Sequence, residues 1–157
     1  MIIVSNTSPI NYLVLIGEID LLPQLFTQII IPQMVYSELS DLKAPTPVQS
    51  WIKTPPNWLI IQSFNADSDQ IMELLDPGES AAILLSEQLK ADLILLDDMK
   101  ARRIAKDRGL TVTGILGILD QAATMKLINV SIAIKNLQNT SFWASQSLFQ
   151  NLLDKHN

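Results

Sequence analysis

Residues 76–119 read DPGESAAILLSEQLKADLILLDDMKARRIAKDRGLTVTGILGIL. Glu79 to Lys90 has helical periodicity, with Ala82, Ile83, Ser86 and Leu89 along one face. Leu93 to Leu96 is apolar at every position. A strand without polar alternation suits a parallel sheet covered on both faces. Met99 to Arg108 reads as a helix closed by Gly109, the residue best able to take the left-handed conformation at a helix end. Leu110 to Val112 is a further strand, and Ile115 to Met125 a further helix. Strands alternating with helices predict an α/β fold with a mostly parallel sheet.

The same alternation extends towards the N-terminus. Met1 to Val4 is a short β-branched strand ending at Ser5. Thr7-Ser8-Pro9 reads as a helix start, a hydroxyl cap with proline in the first turn. A helix over Ile19 to Phe26, a strand over Gln28 to Ile31 stopped by Pro32, and a helix to about Leu39 follow. Lys43 to Trp58 holds four of the eight prolines and reads as a loop or a short helical arm near Val48 to Ile52. Leu59 to Gln62 is a strand and Ser68 to Leu75 a helix, which makes about five strands in all. Two more helices are expected near Ile132 to Leu137 and Gln146 to Asp154. At 157 residues, the expectation is one domain over 1–157, with 131–157 as a C-terminal helical extension.

Composition narrows the chemistry. Hydrophobic residues are 48% and charged residues 17%, so the chain can build a core and is not intrinsically disordered. With no cysteine and one histidine, His156, disulfide scaffolds, thiol nucleophiles, thiolate metal sites and histidine triads are excluded or nearly so. The uncharged first seventeen residues are interrupted by Ser5, Asn6, Thr7, Ser8, Pro9 and Asn11, which argues against a membrane span. The first basic residue is Lys43, which argues against a signal peptide and for the cytoplasm. Neither GxGxxG nor GxxxxGK[ST] occurs.

In parallel sheets, ligands gather beyond the carboxyl ends of the strands. Ser5-Asn6-Thr7-Ser8 lies there after the first strand, and Asp97-Asp98 after the fourth. Glu38 and Glu79 lie in inter-strand helices. Clustered carboxylates suit hard ions such as Mg²⁺ or Mn²⁺, and such ions can hold both the attacking and leaving oxygens of a phosphodiester displacement. Each residue also has a purely structural reading: Asp97-Asp98 and Glu79 as acids favoured at helix starts, Glu38 as a solvated helix position, Thr7-Ser8 as a cap.

The order of these elements is more specific than any one of them. A strand running into SNTSP, then IIIPQMVYSEL, then the 76–119 block resembles the PIN-domain family. Within it, the Gly-Glu and Asp-Asp-x-x-Ala-Arg elements resemble those of small stand-alone bacterial PIN proteins related to the VapC toxins. The resemblance covers roughly residues 1–130. It implies a three-layer α/β/α sandwich, a metal-dependent ribonuclease leaving a 5′-phosphate, and the toxin role in a toxin–antitoxin pair with a small antitoxin as partner. The family's four acidic positions match Asn6, Glu38, Glu79 and Asp98, with Asp97 alongside. On that match Asn6, Glu38, Glu79 and Asp98 are the catalytic set, and Glu38, Glu79, Asp97 and Asp98 the ligands of Mg²⁺ or Mn²⁺. Asn6 departs from the pattern, because an amide offers only a neutral oxygen. The site is then weakened, silent, or a nuclease tamed by substitution.

Five of the eleven basic residues, Lys100, Arg102, Arg103, Lys106 and Arg108, fall within the nine positions 100–108, shortly after Asp98. Lysine and arginine contact phosphates, so Lys100, Arg102, Arg103 and Lys106, with Thr7 and Ser8, are the expected RNA-binding residues. Trp51, Trp58 and Trp143 read as core, partner-interface or base-stacking residues. The apolar segment containing Phe142, Trp143, Leu148, Phe149, Leu152 and Leu153 suggests an exposed patch and a homodimer. Two other readings stand: a catalytically silent PIN-fold protein that binds an antitoxin or RNA, and an unrelated receiver-like regulatory domain. The latter expects a lysine after the last strand, where Thr111-Val112-Thr113-Gly114 offers none.

Overall fold

Ile3 and Val4 are both fully buried although successive strand residues face opposite ways. Ile94 and Leu95 repeat the pattern. Such strands need a layer on each side. The computed structural model, which describes residues 1–63 and 69–157, supplies both layers. Along the chain run β1 (Ile3–Ser5), α1 (Thr7–Leu15), α2 (Leu21–Phe26), β2 (Ile29–Pro32), α3 (Gln33–Ser40), α4 (Thr46–Lys53) and β3 (Leu59–Gln62). They are followed by α5 (Ile71–Leu74), α6 (Pro77–Leu89), β4 (Leu93–Leu95), α7 (Met99–Asp107), β5 (Val112–Thr113), α8 (Ile115–Thr124), α9 (Val130–Gln138) and α10 (Gln146–Lys155).

All strand pairings are parallel, in the order β3-β2-β1-β4-β5. Val4 sits level with Ile30 on one side and Ile94 on the other. Ile3, Ile29, Ile31 and Leu95 face a core shared with α1 to α4 and α8 to α10. Val4, Ile94 and Leu96 face a second core made with α5, α6 and α7. The fold is a three-layer α/β/α sandwich. Its strand order differs from the 2-1-3-4-5 of receiver-like folds. The chain leaves β1 towards β2 and β3, then crosses back to place β4 on β1's other side. The switch point between β1 and β4 is where such sheets open a crevice for ligands.

The elements follow the sequence pattern, with shifted ends. The β5 strand is Val112–Thr113, not Leu110 to Val112. The proline-rich stretch holds the helix α4, with Pro47 in its first turn and Val48 and Ile52 fully buried. The start of the expected helix at Ser68 lies outside the described residues. The C-terminal apolar segment is largely covered by the chain itself, contrary to the exposed patch expected of it. Phe149 and Leu152 are buried, and Phe142 packs edge-on between Tyr12 and Phe149, with ring centroids 5.2 and 6.4 Å away. An amphipathic helix finds cover on its own domain once α9 lies beside it. Trp143 and Leu148 alone of the six are exposed. Trp51 and Trp58 pack tilted on each other at 5.9 Å, against the larger core. Among the described residues no helix is long and apolar enough to cross a membrane.

Candidate active site at the carboxyl edge of the sheet

Asn6 follows β1 directly, and its backbone N–H donates to the Leu95 carbonyl of β4 at 3.0 Å. This holds it at the switch point. The residue is 5% exposed, and its Oδ1 is buried with no hydrogen-bond partner among the described residues. An orphaned acceptor of this kind costs about 1–3 kcal/mol. Asn6 also occupies the N-cap position of α1, yet its side chain caps nothing.

The hydroxyls expected to cap α1 have other partners. Thr7 Oγ1 donates to Glu38 Oε1, and Ser8 Oγ donates to Asp97 Oδ2 at 2.8 Å. The helix begins one residue before the expected cap, so both hydroxyls fall in its first turn and are free to turn towards the acids. Thr7 and Ser8 thereby join α1 to α3 and to the end of β4.

Glu38 sits on α3, which packs against both α1 and α6. Its carboxylate lies against the backbone of Gly78 in the first turn of α6. A Cβ on Gly78 would come within 2.6 Å of Glu38 Oε2 and closer still to Oε1. Burial raises the pKa of Glu38, the Thr7 hydroxyl opposes the rise, and Asp76 adds to it. Gly78→Ala is therefore expected to cost less than ~1 kcal/mol of stability, since only a flexible side-chain end must move. It should still displace the carboxylate and cut any activity of the site roughly 10- to 100-fold. Thermal melts alongside activity assays of the variant check this.

Glu79 is the third residue of α6. It forms a capping box with Asp76: the Glu79 N–H donates to Asp76 Oδ1 at 2.8 Å, and the Asp76 N–H donates to Glu79 Oε1 at 3.3 Å. The structural reading of Glu79 as a first-turn acid is thus correct as far as it goes. It does not account for the residue's surroundings. Glu79 is 9% exposed, and its pKa is pushed up to about 7, first by burial and then by the charges of Asp76, Asp98 and Glu38. A helix N-terminus alone would favour the charged form. The fold brings acids from three separate stretches of chain into one repulsive field.

Asp98 caps α7, with Oδ2 accepting from the Ala101 N–H at 2.9 Å, and is otherwise exposed. Asp97 differs. Its Oδ2 accepts from Ser8, and its Oδ1 accepts from the Ile115 N–H at 2.7 Å. Burial raises its pKa, while Ile115, Ser8 and nearby Arg102 oppose the rise. Gly114 makes this junction possible: a Cβ there would lie 2.6 Å from both Arg102 Nη1 and Asp97 Oδ1. Asp97 therefore ties α1, β4 and α8 together. Asp97→Ala strands a backbone N–H and a hydroxyl, and should lower stability by about 1–3 kcal/mol in urea unfolding.

None of Glu38, Glu79, Asp97 and Asp98 is engaged in a salt bridge among the described residues. The bridges that form are Arg108 to Asp69 and Glu87, and Lys155 and His156 to Asp120, all elsewhere. Arg108 is thereby removed from the basic run expected to meet RNA. Arg102, Arg103 and Lys106 line a groove beside Asp97 that does not include Lys100. Asp76 and Gly78 belong to this neighbourhood and were not among the candidate site residues, Gly78 having entered only through the Gly-Glu element. The capping-box spacing of Asp76 and Glu79, and a glycine in a first helical turn, were the available signals.

A family model described as a PIN domain matches residues 2–157. The chain belongs to the PIN-domain family. No curated protein and no solved structure matches it. PIN domains are nuclease-type folds that generally use divalent metals. Among the described residues, no three Asp, Glu, His or Cys side chains are gathered into a ready-made metal cage. The donor set nevertheless suits a hard cation: a Glu79 carboxyl whose pKa is raised by burial and by neighbouring acids, and, at the end of β1, a buried carbonyl oxygen with no donor among the described residues.

Proposed function

We propose that this PIN-domain protein is a metal-dependent ribonuclease attenuated by Asn6. The observation that supports this reading most is the meeting of Glu38 with the first turn of α6, where its carboxylate lies against Gly78 next to the buried Glu79; the raised pKa of Glu79 agrees with it. Glu38, Glu79 and Asp98 would hold Mg²⁺ or Mn²⁺, with the Asn6 carbonyl oxygen as a neutral fourth donor. Such an ion, when bound, acidifies a water and offsets charge on the phosphate. Thr7 orients Glu38, and Gly78 leaves it room. Asp76 holds Glu79 in its rotamer through the capping box and keeps its proton affinity high. Asp97 serves this reading as a positioning residue, because protein donors already occupy both of its oxygens. Arg102, Arg103 and Lys106 attract the RNA backbone, and Lys100 adds charge at the helix start.

The Gly-Glu and Asp-Asp-x-x-Ala-Arg elements support a toxin role, with a small antitoxin as partner. The cover found over the C-terminal segment weakens the case made above for a homodimer. The catalytically silent reading is favoured by the same Asn6. Calorimetry with Mn²⁺, paired with cleavage of single-stranded RNA in Mn²⁺ and in EDTA, separates the two. Metal binding with metal-dependent cleavage to 5′-phosphate ends supports the nuclease. Absence of both supports the silent form.

A further inference from the structure

The groove beside Asp97 has a volume of about 530 Å³ and runs between α7, the start of α8 and the connection from α9 to α10. Arg102, Arg103 and Lys106 of α7 line it together with Phe142 and Trp143 of the connection before α10. Trp143 is 80% exposed, the highest exposure of the three tryptophans, whereas Trp51 and Trp58 pack into the core. Its neighbour Phe142 is locked between Tyr12 and Phe149. The indole is therefore held out from a fixed anchor and not on a loose tail.

Charge is sorted along α7. Arg108 pairs with Asp69 and Glu87, while Arg102, Arg103 and Lys106 form no salt bridge among the described residues. The chain as a whole carries -5. Arg103 and Lys106, sharing one groove with an exposed indole while Arg102 lies near Asp97, suit a chain of phosphates carrying flat bases. Phosphates meet the cations, and a base meets the ring face. A base inside a duplex has both faces stacked on its neighbours and offers none to an indole, so the fit is to a single strand. Asp97 lines the groove and also ties the end of β4 to the candidate site, so a strand lying here would enter the crevice of the sheet.

We infer that Trp143 is a base-stacking platform, and that with Arg103 and Lys106 it selects single-stranded RNA over duplex at the entrance to the site. This deepens the ribonuclease reading and rests on it for the identity of the substrate. The test uses the full chain in EDTA and a fluorescein-labelled mixed-sequence RNA 12-mer, read by fluorescence anisotropy. Trp143→Ala is expected to weaken binding about tenfold or more, and Trp143→Phe to restore most of it. The side chain is exposed, so its removal leaves the core intact. Arg103→Ala with Lys106→Ala should flatten the slope of log Kd against log salt by about 1.4, roughly 0.7 for each lost phosphate contact on a single strand. A duplex hairpin should bind more weakly than the single strand. Unchanged affinity in Trp143→Ala, or duplex bound as tightly as single strand, overturns the proposal and leaves the face to a protein partner. Trp143-dependent binding without metal-dependent cleavage sinks the nuclease reading alone. Cleavage with wild-type binding by Trp143→Ala sinks the platform alone.

Discussion

Glu79→Gln is expected to abolish RNA cleavage and, at the same time, to stabilise the protein at pH 8. The loss of activity should be on the order of 10²–10⁴-fold, because a carboxylate holding a cation becomes a neutral amide. The gain in stability follows from the sign of the pKa shift. Glu79 has an ordinary value of 4.5 and a value of about 7 in the fold. Below pH 4.5 both the folded and unfolded chains hold the proton, and the site costs nothing. Between 4.5 and 7 the unfolded chain releases it while the folded chain keeps it, so stability falls as pH rises. Above about 7 both are ionised and the fold carries the full cost of burying the charge, to which repulsion from Asp76, Asp98 and Glu38 adds. Discounted for screening by the water that reaches the site, the cost is on the order of 1 kcal/mol. Glutamine keeps an oxygen for the Asp76 N–H, so the capping box survives the change. In EDTA the variant should melt roughly 2–4 °C above the wild type at pH 8 and level with it at pH 4.5. Mn²⁺ should raise the wild-type melting temperature at pH 8 and not the variant's. Equal melting temperatures at both pH values would remove Glu79 from any repulsive cluster.

The sheet was legible because Leu93–Leu95 and Ile29–Ile31 are apolar on both faces, and few environments accept that pattern. The acids were singled out as a set through their order along the chain, while Glu79 and Asp98 alone also read as helix-start acids and Glu38 as a solvated helix position. The structure shows why the ambiguity was real: Asp98 and Glu79 do cap their helices, and Glu79 is at the same time buried among other acids. The Thr7 and Ser8 bonds were hidden because they span 31 and 89 residues, a separation no local propensity encodes. Reading them as a cap was the local solution, and tertiary packing overrode it. The different environments of Asp97 and Asp98 were equally invisible. Only the arrival of α8 at the end of β4 supplies the Ile115 N–H that occupies Asp97. Arg108 and Arg103 look alike in sequence, and Asp69 and Glu87 tell them apart. The C-terminal segment was misread because its apolar residues were weighed without the surfaces that cover them.

Asn6→Asp should move the protein in two directions at once, depending on metal. Asn6 is nearly buried, and its unpartnered oxygen sits at the switch point of a sheet whose nearby acids already repel one another. A carboxylate there adds a like charge with no cation to meet it. Without metal the cost should approach that of an uncompensated buried charge, about 3 kcal/mol, or a fall of roughly 6–12 °C in melting temperature at pH 8. With Mn²⁺ the sign reverses, because the added charge becomes a ligand. Affinity for the ion should rise by roughly one to two orders of magnitude, and RNA cleavage with it. Calorimetry and paired melts in EDTA and in Mn²⁺ read both arms. A variant destabilised in EDTA and not rescued by Mn²⁺ or Mg²⁺ would mean that the acids repel without forming a cation site. A variant unchanged in both would mean that the Asn6 side chain does not face the acids. In the nuclease reading the amide therefore trades catalytic strength for stability of the metal-free fold, and the two arms of this experiment measure each side of that exchange separately.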